Sequence, residues 1–292
     1  MARLDELRPV VEEALDELLP AVDSPPARLH EAMRYSVFAG GKRVRPLLVL
    51  LAGESLGLDP DPLAGVGVAL ELVHTYSLIH DDLPALDDDD LRRGRPTLHR
   101  QYDEATAILA GDALLTLGLT LLAEHPAGAP GEVRARAVAH VGRALGTAGM
   151  IGGQVADLEA ERKWPADPAA ALESIHRRKT GALLTLCLEL PGLYGGVDAD
   201  TGDLLTHLGH ALGLLFQIAD DILDVEESSE TLGKTAGKDA AASKLTYPGL
   251  YGLAESKRLR DHVAQRAREL AGRLPRPAGM TGFVELLASR RS

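Results

Sequence analysis

Two clusters of aspartates limit what this 292-residue chain can fold into. Asp81, Asp82 and Asp87 stand in the run HTYSLIHDDLPALDDDDLRRGRP, and Asp220, Asp221 and Asp224 in FQIADDILD. Each cluster follows an apolar, helix-like stretch. An isolated buried carboxylate is very costly, so a fold that keeps these side chains beside apolar helices must also supply a cation. A divalent metal lying between carboxylates lowers that cost sharply. Two such clusters about 140 residues apart read as the two sides of one metal-filled cleft.

The spacing within each cluster is informative. Gln217, Asp220, Asp221 and Asp224 fall at i, i+3, i+4 and i+7, which a helix of 3.6 residues per turn places on one face. A solvated acidic face would give the same pattern. The apolar run HLGHALGLLFQIA just before it argues instead for a buried helix carrying a metal site. Asp81 and Asp87 are six residues apart, about 600° on a straight helix, and would point to different faces. Pro84 disfavours helical geometry at Leu83 and removes a backbone donor, so the helix should end or bulge there and swing Asp87 back toward Asp81. The following Asp88, Asp89 and Asp90 read as facing water or capping the next turn.

Basic residues accompany the acids. Arg92 and Arg93 follow the first cluster at once. They could be plain salt-bridge partners, but guanidinium groups also clamp phosphate oxygens bidentately. Metal-bound acids with neighbouring arginines suit a diphosphate. GGKRVRP (40–46) adds Lys42, Arg43 and Arg45 after a glycine turn, and His74 stands seven residues before Asp81 on the same helix face. Together these bases suggest a second anion pocket, one that lacks the GxxxxGK[ST] pattern of a P-loop. Lys179, with Thr180 and Gly181, sits in an apolar helical context, where an anionic substrate would balance its charge. Lys234, Lys238 and Lys244 lie on a polar segment, 227–248, whose length suits a lid or a disordered link.

The remainder of the chain reads as all-α. Aromatics make up only 3% of residues, and the apolar content is mostly Leu, Ala and Val, which disfavours a β-rich fold. Leu4, Leu7, Val11, Leu15 and Leu18 set up an amphipathic helix over 4–19. Further helices are expected over 27–39, 47–57, 63–82, 104–125, 171–190, 203–226, 250–274 and 282–291, with 132–160 rich in small residues and PGLYGGVDADTG (191–202) a loop. No alternating strand stands out, and no composition shift divides the chain, so residues 1–292 are expected to form a single domain. The net charge of −12 leaves no whole-chain basic footprint for nucleic acid. Cys187 is alone, and its apolar setting reads as a core position. The acid-bearing N-terminus does not resemble a targeting peptide, and no stretch approaches the ~20 apolar residues of a membrane span. A cytoplasmic protein is therefore expected.

GGKRVRP, LIHDDLPALDDDDLRRGRPT, AGDALL, GGQVADL, IHRRKTGAL, FQIADDILD and TLGKTAGKD, taken in order, resemble the short-chain trans-polyprenyl diphosphate synthases. The resemblance runs from about Leu29 to Pro248 and is strongest to the bacterial farnesyl diphosphate synthase pattern. It implies an isoprenoid synthase-type helical bundle around a central cleft, usually a homodimer, with three magnesium ions. It also implies that isopentenyl diphosphate adds head-to-tail to an allylic diphosphate. On that resemblance Asp81, Asp82, Asp87, Asp220, Asp221 and Asp224 are the metal-ligand candidates. Lys42, Arg45, His74 and Arg93 match the isopentenyl diphosphate pocket. Arg92, Lys179, Thr180, Gln217, Lys234 and Lys244 match positions against the allylic substrate, with Lys179, Thr180 and Gln217 the catalytic candidates. Tyr76, about 7.5 Å upstream of Asp81 along the helix, would with Ser77 form the floor of the product tunnel. A bulky phenol there implies a C15 product, with C20 the alternative. A terpene cyclase and a non-catalytic subunit of a heteromeric synthase are the competing classes. The retained DDILD and GGKRVRP argue against the first, and both intact acid clusters against the second.

Overall fold

The computed structural model describes residues 2–231 and 245–289, so Lys234, Lys238 and Lys244 lie outside the described residues. The described residues form fourteen α-helices, with one short hairpin as their only sheet. The chain packs as two compact units, one of residues 2–53 and 59–138, the other of 54–58 and 139 onward.

In the first unit the central element is helix α4 (Ala64–Asp81). Val66, Val68, Leu70, Leu72 and Val73 surround its axis, and all are fully buried. A helix apolar all round belongs inside a core. Helix α6 (Glu104–Glu124), capped by the Asp103 carboxylate accepting from Thr106 N at 2.7 Å, packs along α4. Helix α1 (Ala2–Leu18) lays its stripe of Leu4, Leu7, Val11 and Leu15 against the same core, as its periodicity requires. Helices α2 (Ala27–Val37) and α3 (Val44–Ser55) flank the GGKRVRP turn. Between α4 and helix α5 (Leu98–Gln101) the chain forms a hairpin, β1 (Leu91–Arg92) with β2 (Arg95–Pro96). Its two-residue turn, Arg93–Gly94, has φ of 54° and 75°, the left-handed pair that favours tight hairpins. No alternating pattern announces strands this short.

Two helices correct the expectation that no stretch nears membrane-spanning length. Asp61–Asp81 and Glu104–Glu124 are each 21 residues long, with mean hydropathies of 1.3 and 1.8. The first is 78% buried and serves as a core helix, whereas only 39% of the second is covered.

The second unit is built around helix α11 (Ala199–Thr231). Helices α8 (Met150–Arg162), α9 (Pro168–His176) and α10 (Ala182–Gly195) precede it, and α12 (Tyr247–Tyr251), α13 (Leu253–Ala271) and α14 (Ala278–Ala288) follow. Helix α10 carries Pro191 in its interior and continues past the expected loop start, because Leu188, Leu190 and Pro191 are all buried in the core. Gly196, with φ of 62°, ends it in the left-handed conformation usual after a helix. Cys187 is fully buried. In the small-residue stretch 132–160 a turn at Gly146–Gly149 separates α7 (Gly131–Leu145) from α8. Residues 177–181 wind as a π-helix between α9 and α10. A segment of that kind has no signature in hydrophobic periodicity and recurs at functional sites.

One ion-pair lock holds the first unit. Arg43 Nε donates to Glu12 at 2.7 Å and its Nη1 to Glu71 at 3.2 Å and to the Val37 carbonyl at 2.9 Å. The side chains of Arg43 and Glu71 are each only 3% exposed. Arg43→Met leaves the Glu71 carboxylate buried and unpaired, so urea unfolding should show a loss of about 3–5 kcal/mol. The double change R43M/E71L should recover most of that loss.

Candidate functional site

Two groups of the expected site residues lie in the first unit. Helix α4 ends as Pro84 requires: Asp82 N donates to Leu78 O at 3.1 Å, and then Asp87 N donates to Asp81 O at 2.8 Å. The chain has doubled back, so the side chains of Asp81 and Asp87 leave from neighbouring points despite six residues of separation. Asp81 is half-buried and Asp87 exposed. Asp82 differs from both. It is 3% exposed, and both its oxygens accept from Arg92 Nε, at 2.7 and 2.9 Å, with Nη2 at 2.5 Å from Oδ1. Asp82 and Arg92 thus occupy one another, and a role of either toward metal or substrate would require that pair to open. Asp90 pairs with Arg100 at 2.5 Å, and Asp88 and Asp89 are exposed, as expected of them.

A basic cluster stands behind this turn. His74 feels the charges of Arg45, Arg93 and Arg92. Burial first, and then these three guanidiniums in that order, hold its imidazole well below the ordinary value of 6.5. His74 is therefore a neutral hydrogen-bonding group in a cationic surround, not a further charge. Arg93 reaches back to donate to the Gly40 carbonyl. A Cβ on Gly41 would lie 2.6 Å from Arg93 Nη1, so only glycine leaves room for that guanidinium. A cavity of about 30 Å³ opens beside the cluster, bordered by Ser36, Thr75, Asp82, Arg92 and Arg93. Lys42 is exposed at the rim and Arg45 is buried. Among the described residues only Arg43, Asp88 and Arg93 are non-glycines with positive φ, at 50°, 51° and 54°. Arg43 sits in the GGKRVRP turn, Asp88 at the end of the acidic turn and Arg93 in the hairpin turn, and backbone strain of this kind commonly marks function.

Tyr76 is 6% exposed on α4, and its ring meets His80 edge-on with centroids 5.6 Å apart. Burial, and secondly the Asp81 charge, push its hydroxyl up to about 12. Ser77 turns its hydroxyl back to the His74 carbonyl at 2.9 Å.

The second unit holds the other group. Thr180 donates to Gln217 Oε1 at 3.0 Å, and Gln217 Nε2 donates to Asp221 Oδ1 at 2.9 Å. Tyr247 N donates to Asp221 Oδ2, also at 2.9 Å. Asp221 is 5% exposed, and burial pushes its carboxyl up to about 6 despite the Tyr247 and Gln217 hydrogen bonds, with Asp224 and Asp220 adding to the rise. With both oxygens engaged, Asp221 anchors the face on which Asp220 is half-buried and Asp224 exposed. Lys179 donates to Asp157 at 2.7 Å, so an acid of the protein already balances the lysine charge. Asp157 carried no assigned role in the sequence reading. Its signal lay in GGQVADL: a Cβ on Gly153 of the same motif would stand 2.6 Å from Lys179 N. The motif thus cradles the π-segment that presents Lys179 and Thr180.

No group of three or more His, Cys, Asp or Glu among the described residues could hold a metal ion by itself. Magnesium does not require one. It keeps several waters and is typically held by one or two carboxylates together with substrate phosphates. Asp81 with Asp87, and Asp220 with Asp224, are hard oxygen donors of that kind, so the residues present fit magnesium.

Residues 26–273 match the sequence model of the polyprenyl synthetase family. A farnesyl diphosphate synthase from Geobacillus stearothermophilus is 44% identical over 98% of this chain and 96% of its own length. A heterodimeric geranylgeranyl pyrophosphate synthase large subunit of Arabidopsis thaliana chloroplasts is 45% identical over 89% of this chain and 70% of its own. The solved apo structure of an FPP/GFPP synthase from Zymomonas mobilis superimposes with a TM-score of 0.88 at 33% identity, covering 99% of this chain and 98% of that one.

The position of His74 is open to a direct check. Its folded form binds a proton more weakly than the unfolded chain does. Its contribution to stability is therefore complete above about 6.5 and is lost as the pH falls below that value. Ring-proton NMR should show the neutral form persisting through pH 6.5, and inorganic diphosphate should raise the midpoint. A midpoint at or above 6.5 in the free protein would contradict the surround described.

Proposed function

The chain belongs to the polyprenyl synthetase family and is a prenyl diphosphate synthase, and we propose that it makes farnesyl diphosphate, adding isopentenyl diphosphate to dimethylallyl and then geranyl diphosphate. The observation that carries the diphosphate chemistry is the cluster of Arg45, Arg92 and Arg93 around neutral His74, beside the doubled-back turn of Asp81 and Asp87. Arg45 and Arg93 give an isopentenyl diphosphate head its counter-charge, exposed Lys42 adds to it, and Arg92, held by Asp82, is left for the allylic diphosphate.

Asp81 with Asp87 in the first unit, and Asp220 with Asp224 in the second, would each hold magnesium, with Asp82 and Asp221 keeping their neighbours in place. When bound, the metal neutralises charge on the departing diphosphate. The chain's own groups do the remaining work. Lys179, released in part from Asp157, donates to the allylic diphosphate as its C1–O bond breaks and the electron pair passes to oxygen. The Thr180–Gln217 pair turns oxygen dipoles toward the positive charge left on the allyl group. The double bond of isopentenyl diphosphate attacks that carbon, a C–C bond forms, and a proton leaves, with the departed diphosphate its acceptor.

Tyr76 supports the C15 assignment. Its phenol is buried on α4 and braced by His80, a bulky stop below the acidic turn. A C20 product is the second reading, supported by the geranylgeranyl pyrophosphate synthases among the relatives. We further propose a homodimer that covers α6, whose Ile108 and Leu109 are 44% and 57% exposed. The single cysteine is consistent with a cytoplasmic setting.

Incubation with magnesium, labelled isopentenyl diphosphate and dimethylallyl diphosphate should yield a C15 diphosphate. Chelation should abolish turnover. Asp81→Ala and Asp220→Ala should each lower kcat by about a hundredfold or more, several kcal/mol of lost charge stabilisation. Tyr76→Ala should shift the product to C20 or longer, and an unchanged length would remove the floor assignment.

A further inference from the structure

A groove of about 390 Å³ opens in the second unit on residues that the site above does not use. That volume falls within the roughly 300–1,000 Å³ typical of small-molecule sites. Its walls include Ala211, Leu214 and Val263, from α11 and α13. Its polar lining is predominantly basic: Arg177 from the π-segment, His210 from α11, and His262 and Arg266 from α13. Glu173 is the one acid. Four basic side chains converging on one groove stand out in a chain of net charge −12.

These bases are poorly engaged by the protein itself. The Arg177 guanidinium makes no hydrogen bond or ion pair among the described residues, its backbone N–H alone donating to Glu173 O and Ser174 O. Arg266 has Glu269 at 3.9 Å, with both side chains more than half exposed, a pair worth little. His210 is held below its ordinary value by burial, with Arg177 and His207 acting against the opposing charge of Glu189. An anion entering here would meet two planar guanidiniums, each able to donate paired N–H bonds to phosphate oxygens.

We infer that this groove binds an amphiphilic anion, a diphosphate head on the Arg177–Arg266 side with a short prenyl tail along Leu214 and Val263. Such a ligand is of the class that the enzyme releases, and its naming rests on the proposed activity. The groove also has a route to turnover. Arg177 and Gly181 line it, and they bracket Lys179 and Thr180 on the same five-residue π-segment. Occupancy therefore bears on the Lys179–Asp157 and Thr180–Gln217 bonds, and product should slow the enzyme through this site.

The test uses the full chain. Calorimetry in chelator, which removes metal-dependent binding, is run with farnesyl diphosphate, inorganic diphosphate and farnesol in separate titrations. Wild type, R177Q/R266Q and R45Q are compared, with melting temperatures as the check on folding. Farnesyl diphosphate should bind wild type more tightly than either fragment does. Its affinity should fall by about tenfold or more in R177Q/R266Q, from the loss of two charge-assisted contacts. In magnesium, R177Q/R266Q should keep the initial kcat while inhibition by added farnesyl diphosphate weakens. Unchanged affinity in R177Q/R266Q, a loss confined to R45Q, or farnesyl diphosphate binding no tighter than inorganic diphosphate would each overturn the inference. A chain that failed to condense its C5 substrates, yet still lost binding in R177Q/R266Q, would sink the activity and leave the groove standing.

Discussion

A carboxylate at the end of a buried helix has to find a positive partner, and this fold is arranged around that requirement. Helix α4 is largely apolar, buries Glu71 against Arg43, and terminates in aspartates. Asp82, the most buried of them, is met by Arg92 on both oxygens. That bidentate pair ties the acidic turn to the hairpin, and the hairpin in turn sets Arg93 against the Gly40–Gly41 turn. Removing one charge from such a pair strands the other in low dielectric. The geometry of the Asp81–Asp87 turn, the basic cluster around His74 and the hairpin thus stand or fall together.

The second unit meets the same requirement by other means. Asp221 is satisfied by neutral donors, a side-chain amide and the Tyr247 backbone, which leaves its carboxyl pushed up to about 6. Lys179 receives Asp157, and Thr180 receives Gln217. Both contacts fan out from a π-segment, whose wider winding lets consecutive residues address α8 and α11. An ordinary helix would advance them by about 100° per residue on a narrower radius. The same winding leaves Arg177 and Gly181 bordering the basic groove, so the catalytic and regulatory roles proposed above meet on one short stretch.

The α6 helix poses a different physical problem. It is long and apolar enough to cross a membrane, yet less than half of its apolar window is covered. A second copy of the chain is the occupant that the proposed function gives it. Helix α4 passes the same length test but spends its hydrophobicity on the interior. Length and composition are identical signals for the two helices, and only burial separates them.

Much of the site was legible in sequence because it depends on local geometry. The i, i+3, i+4, i+7 spacing from Gln217 to Asp224 fixes one helical face whatever surrounds it, and Pro84 dictates where α4 must stop. The all-α fold follows likewise from Leu- and Ala-rich periodicity. What tertiary structure decided was where each charge is spent. Lys42, Arg43 and Arg45 are near neighbours of one type, yet Arg43 turns inward because Glu12 and Glu71, 31 and 28 residues away, await it there. Asp82 and Asp221 look like their neighbours until Arg92 and Tyr247 are brought against them. Partners so distant along the chain leave no mark on local spacing, since only packing determines which buried charge meets which.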